Sequence, residues 1–250
     1  MSLRFQRAIV VGASSGIGAA IAQQLAADGA AVALLGRRER ELREVAHAIE
    51  RAGSGRAIVA AHDVTAFDSV APTFDRLLNE LGGLDLFVYA AGVMGSVAES
   101  EYDAAMDRAT MMVNVLGAMA WAAPVAAHFE AQRAGTMVAL SSIAGERGRR
   151  PFPAYSTSKA ALTAYFEALR NRVSRYGVNV VTVKSGYVDT AMTQGVKGLF
   201  WLIPADEAAR RILAIARRGG SPSVFVPARW GLVAFVVRHL PSAVFRRLNF

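Results

Sequence analysis

Short runs of β-branched and aliphatic residues alternate along the chain with longer stretches of helical period. Residues 8–11, 31–35, 57–60, 86–90, 137–140 and 178–183 read as buried strands, and 224–226 as a seventh. Between them, 16–28, 39–52, 67–81, 102–132, 154–176 and 205–218 carry the helical pattern. Uninterrupted apolar strands belong to a parallel sheet covered by helices on both faces. With right-handed crossovers, the pattern predicts an α/β fold, a doubly wound parallel sheet of the Rossmann type. Gly29, Gly53 and Gly177 follow helices and are expected as C-terminal caps. No repeat or linker divides the chain, so one domain is expected over 1–250. Within it, 189–204 reads as a substrate flap and 229–250 as an apolar, basic C-terminal segment.

Composition narrows the chemistry. Hydrophobic residues make up 53% and charged residues 19%, enough apolar material for a sizeable core. The lack of cysteine excludes disulfides, thiolate metal sites and a cysteine nucleophile. His47, His62, His128 and His239 are scattered without metal-ligand spacing, so no metal is expected. The polar start carries no signal-peptide pattern, and a cytoplasmic protein is expected. No apolar run reaches the ~18–20 residues that span a bilayer. The longest, 230–237, stops at Arg238.

The net charge of +8 is uneven. Residues 1–195 hold 19 basic and 18 acidic side chains, whereas 196–250 hold 9 and 2. A basic tail suits anionic lipid or a phosphorylated substrate, and a solvated surface accounts for it equally. Nucleic acid is not expected as a partner, because the charge sits in an apolar tail and not on a reading helix.

Gly12-Ala13-Ser14-Ser15-Gly16-Ile17-Gly18 falls at the first strand-to-helix turn. Gly12 suits a tight turn, Gly16 lets the backbone approach a pyrophosphate, and Gly18 lets the helix pack closely on the strand. The helix start then offers N–H groups and partial positive charge to phosphates. The spacing Gly-x3-Gly-x-Gly resembles that of the short-chain dehydrogenase/reductase family, and the likeness covers 7–195 well. It implies a nicotinamide dinucleotide lying across the C-terminal edge of the sheet. Dinucleotide folds that prefer NAD(H) place a carboxylate after the second strand. Here Gly36 is followed by Arg37 and Arg38, which favours NADP(H) over NAD(H), since guanidiniums suit a 2′-phosphate. Pairing of these arginines with Glu39 and Glu41 is the competing reading. The resemblance also assigns the Asp63 side chain and the Val64 backbone to the adenine. Ala91 and Gly92 stand where the family's backbone approaches the cofactor. The family's asparagines before them are replaced by Tyr89 and Ala90, which puts bonds that stiffen the sheet in doubt.

Tyr155 and Lys159 are four residues apart at the start of a predicted helix and share one face. An adjacent ammonium, together with an oxidised nicotinamide ring, is expected to lower the phenol pKa, suiting Tyr155 to exchange a proton with a carbonyl or hydroxyl oxygen. Ser142 lies thirteen residues before Tyr155, the family's spacing, and the resemblance selects it over Ser141 to hydrogen-bond the substrate oxygen. Asn114 matches the family's helix asparagine, which anchors a water that relays protons to the lysine. Read without the resemblance, it is a buried polar residue in need of partners. Thr190 aligns with the residue that binds the nicotinamide carboxamide, assisted by backbone groups of Val188. Ser185 replaces a common family proline and is expected to loosen that loop.

Arg147, Arg149 and Arg150 border this centre, and could hold a phosphate or face solvent. The segment 230–250 mixes apolar residues with Arg238, Arg246 and Arg247. It suits an anionic bilayer surface, its own domain, or a sister subunit. Both stretches resemble the reductases of polyprenyl-phosphoryl 2-keto-pentoses (the decaprenylphosphoryl 2-ulose 2-reductases). The expected function is an NADP(H)-dependent oxidoreductase interconverting a ketone and a secondary alcohol, its substrate a keto-sugar on a polyprenyl phosphate. The alternatives are a soluble reductase of a 3-oxoacyl or small ketone substrate, and a redox-silent cofactor-binding scaffold. A homo-oligomer is the family default.

Overall fold

A computed structural model describes residues 5–53, 55–95, 101–196, 198–220 and 222–248. Of the segments singled out above, 1–4, 197 and 249–250 lie outside the described residues. Strands β1 (Arg7–Val11), β2 (Ala31–Gly36), β3 (Arg56–Ala61), β4 (Leu86–Tyr89), β5 (Gly135–Ser142) and β6 (Val178–Ser185) appear where the apolar runs predict them. A two-residue pair, β7 (Val188–Asp189) with β8 (Ile203–Pro204), has no counterpart in the sequence reading. β9 (Ser223–Val226) completes the main sheet.

The seven-stranded sheet is parallel throughout, in the order β3-β2-β1-β4-β5-β6-β9. The order reverses between β1 and β4, and there the C-terminal strand ends open a crevice. Helices α1 (Gly16–Ala27), α2 (Glu39–Ala52) and α3 (Val70–Leu81) follow the first three strands. The region 102–132 is not one regular helix. It divides into α4 (Ala104–Met111), a π turn (Met112–Leu116) and α5 (Gly117–Gln132). α6 (Pro153–Val173) and α7 (Ala205–Arg218) complete the layers, and α8 (Trp230–His239) and α9 (Ser242–Phe245) form the C-terminal segment. Gly29, Gly53 and Gly177 all have positive φ beyond helix ends.

One core cluster packs α1, α2 and α7 on one face of the sheet, and a second packs α3, α5 and α6 on the other. The expectation about membrane spans needs a correction. Ala104–Gln132 is long and apolar enough to cross a bilayer by length and composition alone. Small alanines and scattered polar residues hide this from a search for unbroken apolar runs. Within the fold the segment packs against α3 and α6 as a core helix.

Candidate active site

The turn after β1 is held by the Gly12 and Ala13 N–H groups, which both donate to the Leu35 carbonyl, at 2.8 and 2.9 Å. Gly12 has φ +90°, and a Cβ there would lie 2.4 Å from the Ala91 nitrogen, so only glycine fits. Ser15 does not cap α1 with its side chain. Its hydroxyl accepts instead from Arg38 Nη2 at 2.7 Å, and Ser14 Oγ accepts from the same nitrogen at 2.9 Å. The first-turn N–H groups of α1 are left to face the crevice.

That crevice encloses about 340 Å³. Of the residues singled out by sequence, Gly12, Ser14, Ser15, Gly16, Ile17, Gly18, Arg37, Arg38, Val64, Ala91, Gly92, Tyr155, Lys159 and Thr190 line it. Thr190 rests over the glycine turn, its methyl 3.0 Å from where a Gly16 Cβ would be. Val93 and Leu140 also line the wall and escaped the sequence reading. Neighbours of motif positions in space, they carry no motif of their own.

Asp63, Asn114, Ser142 and Val188 are not among the residues that line the crevice. The Asp63 carboxylate accepts from the Thr65 backbone and hydroxyl at 2.9 and 2.8 Å, and faces Arg37 Nη1 at 3.9 Å. Partial burial pushes its pKa up, but the Thr65 bonds and the charges of Arg37 and His62 outweigh this, and the net direction is down. The Val188 carbonyl accepts from the Thr193 hydroxyl at 2.8 Å. Asn114 is fully buried on the π turn. Its Oδ1 accepts the Val93 N–H at 2.8 Å, and its Nδ2 donates to the Val93 carbonyl and to Ser158 Oγ, each at 2.9 Å.

Ser142, the last residue of β5, accepts the Ala144 N–H at 3.1 Å, and its hydroxyl donates to the Ser185 carbonyl at 3.4 Å. Ser141 points the opposite way, as strand alternation requires, with Oγ 2.9 Å from the Lys159 carbonyl oxygen. Ser185 does not loosen its loop. It is the last residue of β6, in register with Ser142 on one side and Val226 on the other, and its hydroxyl donates to the Ser141 carbonyl at 3.2 Å.

The protein's own atoms move the Tyr155 pKa up. The ring is half-buried, and the atoms packed around the phenol push it up. The Ser142 hydroxyl and the Arg149 charge pull down without prevailing. Lys159 Nζ lies 5.6 Å from the Tyr155 ring centroid and donates to the Leu140 carbonyl at 2.8 Å. Burial lowers the ammonium itself to about 8, which weakens its hold on the phenol.

Two of the three arginines before Tyr155 are engaged elsewhere. Arg147 donates to the Val237 carbonyl at 2.9 Å and to Ser242 Oγ at 3.1 Å, and its guanidinium lies 4.1 Å from the Phe245 ring centroid. Arg150 donates to the Leu248 carbonyl at 3.1 Å. Between them, buried Glu146 meets Lys184 Nζ at 2.7 Å and also pairs with Arg238. The reading of a three-arginine phosphate cradle is therefore corrected: these side chains bind the C-terminal segment to its own domain.

The model for the family described as short chain dehydrogenase matches residues 6–198. The chain is 36% identical over 203 residues to a cis-4-hydroxycyclohexanecarboxylate dehydrogenase of Sinomonas cyclohexanicum, covering 81% of this chain and 78% of that protein. It is 31% identical over 188 residues to an uncharacterized oxidoreductase of Staphylococcus epidermidis, covering 75% and 80%. A crystal structure of a short-chain type dehydrogenase/reductase from Mycobacterium marinum matches it with a TM-score of 0.81 at 28% identity, over 88% of this chain and 93% of that one. The chain belongs to the short-chain dehydrogenase/reductase family, oxidoreductases that act on alcohol and ketone groups with a nicotinamide dinucleotide.

Proposed function

We propose that the protein interconverts a ketone and a secondary alcohol, with NADP(H) as the preferred cofactor and Tyr155 as the general acid and base. The observation that carries this reading is the grouping of Ser142, Tyr155 and Lys159. The Ser142 hydroxyl acts on the phenol to lower its pKa, and a buried ammonium lies one turn away on the same helix face.

The residues fit a dinucleotide. A Cβ on Gly92 would stand 3.5 Å from Lys159 Nζ, filling the floor of the crevice in front of the ammonium. Gly12, Ser14, Ser15, Gly16, Ile17 and Gly18 would hold the pyrophosphate on the α1 start. Val64, Ala91 and Gly92 would border the adenosine side, and Val188 and Thr190 the nicotinamide side. Arg37 and Arg38, with no carboxylate at Gly36, favour a 2′-phosphate. The bound cofactor supplies or accepts the hydride.

In the direction of reduction, Tyr155 gives its proton to the substrate oxygen. Its raised pKa keeps it protonated at neutral pH, and Ser142 and Arg149 stabilise the phenolate left behind. Asn114 holds the first turn of α6 through Ser158, and so holds Tyr155 and Lys159 in place. Replacement of Tyr155 by Phe should abolish NADPH oxidation with a ketone while leaving NADPH binding by fluorescence intact. Unchanged turnover would remove the tyrosine from the mechanism.

A second reading concerns the substrate, a keto-sugar carried on a polyprenyl phosphate. It is favoured by the exposed apolar face of α8, where Leu232 is 68% and Phe235 61% exposed. Phe200, Trp201 and Leu202 of the flap are exposed as well, and Arg229 lies over the Trp201 ring at 5.0 Å. Arg149, with no bond to the tail among the described residues, is the guanidinium left to meet a phosphate. On this reading the enzyme works in the cytoplasm at the inner face of the membrane, through 229–250, and forms the homo-oligomer usual in the family.

A further inference from the structure

We propose that Tyr89 is a positioning residue for proton transfer. Its phenol pins the π turn that carries Asn114, and Asn114 in turn fixes the crevice floor and the start of α6. The inference rests on the role proposed above for Tyr155 and Lys159.

Tyr89 ends β4 and is fully buried. Its hydroxyl donates to the Val113 carbonyl at 2.6 Å. Val113 lies inside Met112–Leu116, where the Gly117 N–H reaches five residues back to the Met112 carbonyl instead of four. Such a turn carries one residue more than an α-helical turn and is held only where something outside the helix favours it. A short hydrogen bond from the sheet to a carbonyl within the turn is such a constraint.

The next residue, Asn114, closes two contacts at once. It brackets Val93 through both backbone groups, and it reaches Ser158 Oγ, which donates to the Tyr155 carbonyl at 2.8 Å. Return of the turn to α-helical register would rotate Asn114 about the helix axis, and one carboxamide could no longer meet both. The space is shaped for the phenol. A Cβ on Gly117 would come 2.8 Å from the Tyr89 oxygen and 2.9 Å from Val64 Cγ2. Burial holds the Tyr89 pKa far above the usual tyrosine value, so the hydroxyl stays a donor across the working pH range. The bracing doubted when Tyr89 and Ala90 were found in place of the family's asparagines is thus supplied by a phenol acting on the neighbouring helix.

The test is Tyr89→Phe, read by amide hydrogen exchange and by single-turnover kinetics, with Asn114→Ala as the reference. Exchange at Val93 should speed up ~10-fold or more in Tyr89→Phe, towards the rate in Asn114→Ala, while Val10 in β1 keeps its rate. The hydride-transfer rate should fall ~10-fold with the substrate KM little changed. The double variant should be no slower than Asn114→Ala alone, because both changes break one path. Gly117→Ala crowds the same hydroxyl from the helix side, and should reproduce the Val93 effect if Tyr89→Phe folds poorly. Unchanged exchange at Val93, equal acceleration at Val10, or additive rate losses would each overturn the inference. If Asn114→Ala keeps full turnover while Tyr89→Phe still releases Val93, the fault lies with the proton-transfer reading of the site, and Tyr89 then positions nothing in catalysis.

Discussion

The Arg147 guanidinium donates to the Val237 carbonyl across ninety residues of sequence, at 2.9 Å. It reaches the Val237 carbonyl in the last turn of α8, and it also bonds the Leu240 carbonyl just beyond. The loop that leads to Tyr155 and the C-terminal helix are therefore one mechanical unit. Arg238 on buried Glu146 and Arg150 on Leu248 extend the same junction.

Arg147→Ala should loosen that unit. Loss of charge-assisted bonds to carbonyl oxygens costs about 1–3 kcal/mol, and the stacking on Phe245 goes with them. The expected result is a lower urea midpoint and faster proteolysis within 230–248, with the KM for a phosphorylated ketone less affected than by Arg149→Ala. A KM loss confined to Arg147→Ala would return this arginine to the substrate.

Lys159→Met should stabilise the protein while abolishing turnover. Burial lowers the lysine from 10.5 to about 8, so the folded state binds fewer protons than the unfolded state between those values. Below about pH 8 both states are charged, and the wild type bears the full penalty, about 3 kcal/mol for a shift of this size. Stability of the wild type then rises with pH until the unfolded lysine also loses its proton near 10.5. The gain from Met should be largest at pH 7 and shrink across that window in thermal melts. A gain that does not vary with pH would mean the ammonium is not the cause.

Cofactor choice should answer to the arginines after β2. Arg38 holds Ser14 and Ser15, so Arg38→Ala removes positive charge and also frees the glycine turn. Arg37→Asp adds a carboxylate beside Asp63, where a 2′-phosphate would be repelled. Each change should lower kcat/KM for NADPH ~10–100-fold, and Arg37→Asp should spare NADH. Equal loss with both cofactors would discredit the 2′-phosphate assignment.

What was legible in the sequence is local in the chain. Gly12 to Gly18 and Tyr155 to Lys159 each lie within one turn or one helix face, so spacing alone brings them together. The apolar runs found all seven strands of the sheet; β1, β2 and β4 are buried on both faces and so read as near-continuous apolar runs. Three features depend on distance or surroundings and were not legible. Arg147 and Arg150 looked like neighbours of the reaction centre, since nothing local pairs them with Val237 and Leu248. The upward push of packing on Tyr155 is not visible in sequence, where only the ammonium one turn away can be read. Tyr89 marked a departure from the family motif, but its bond to Val113 depends on a π turn that helical periodicity does not reveal.

The apolar face of α8 should decide between a lipid-linked and a freely soluble substrate. Leu232, Phe235 and Val236 are spaced so that they share one side of the helix, and all three are exposed. The opposite side buries Trp230 and Ala234 against the domain, so the helix stays folded whether or not the outer side meets a bilayer. Arg229, Arg246 and Arg247 of the same segment are exposed and complement anionic headgroups. The protein should co-sediment with vesicles containing phosphatidylglycerol, less with phosphatidylcholine alone, and less in high salt. Phe235→Ser with Leu232→Ser should weaken sedimentation ~10-fold or more, since each buried apolar side chain contributes about 1.5–3 kcal/mol. The same double variant should keep its rate on a short water-soluble ketone, because neither residue lines the crevice. A protein that never sediments with anionic vesicles, or a double variant that sediments as well as the wild type, would leave the soluble ketone as the substrate class.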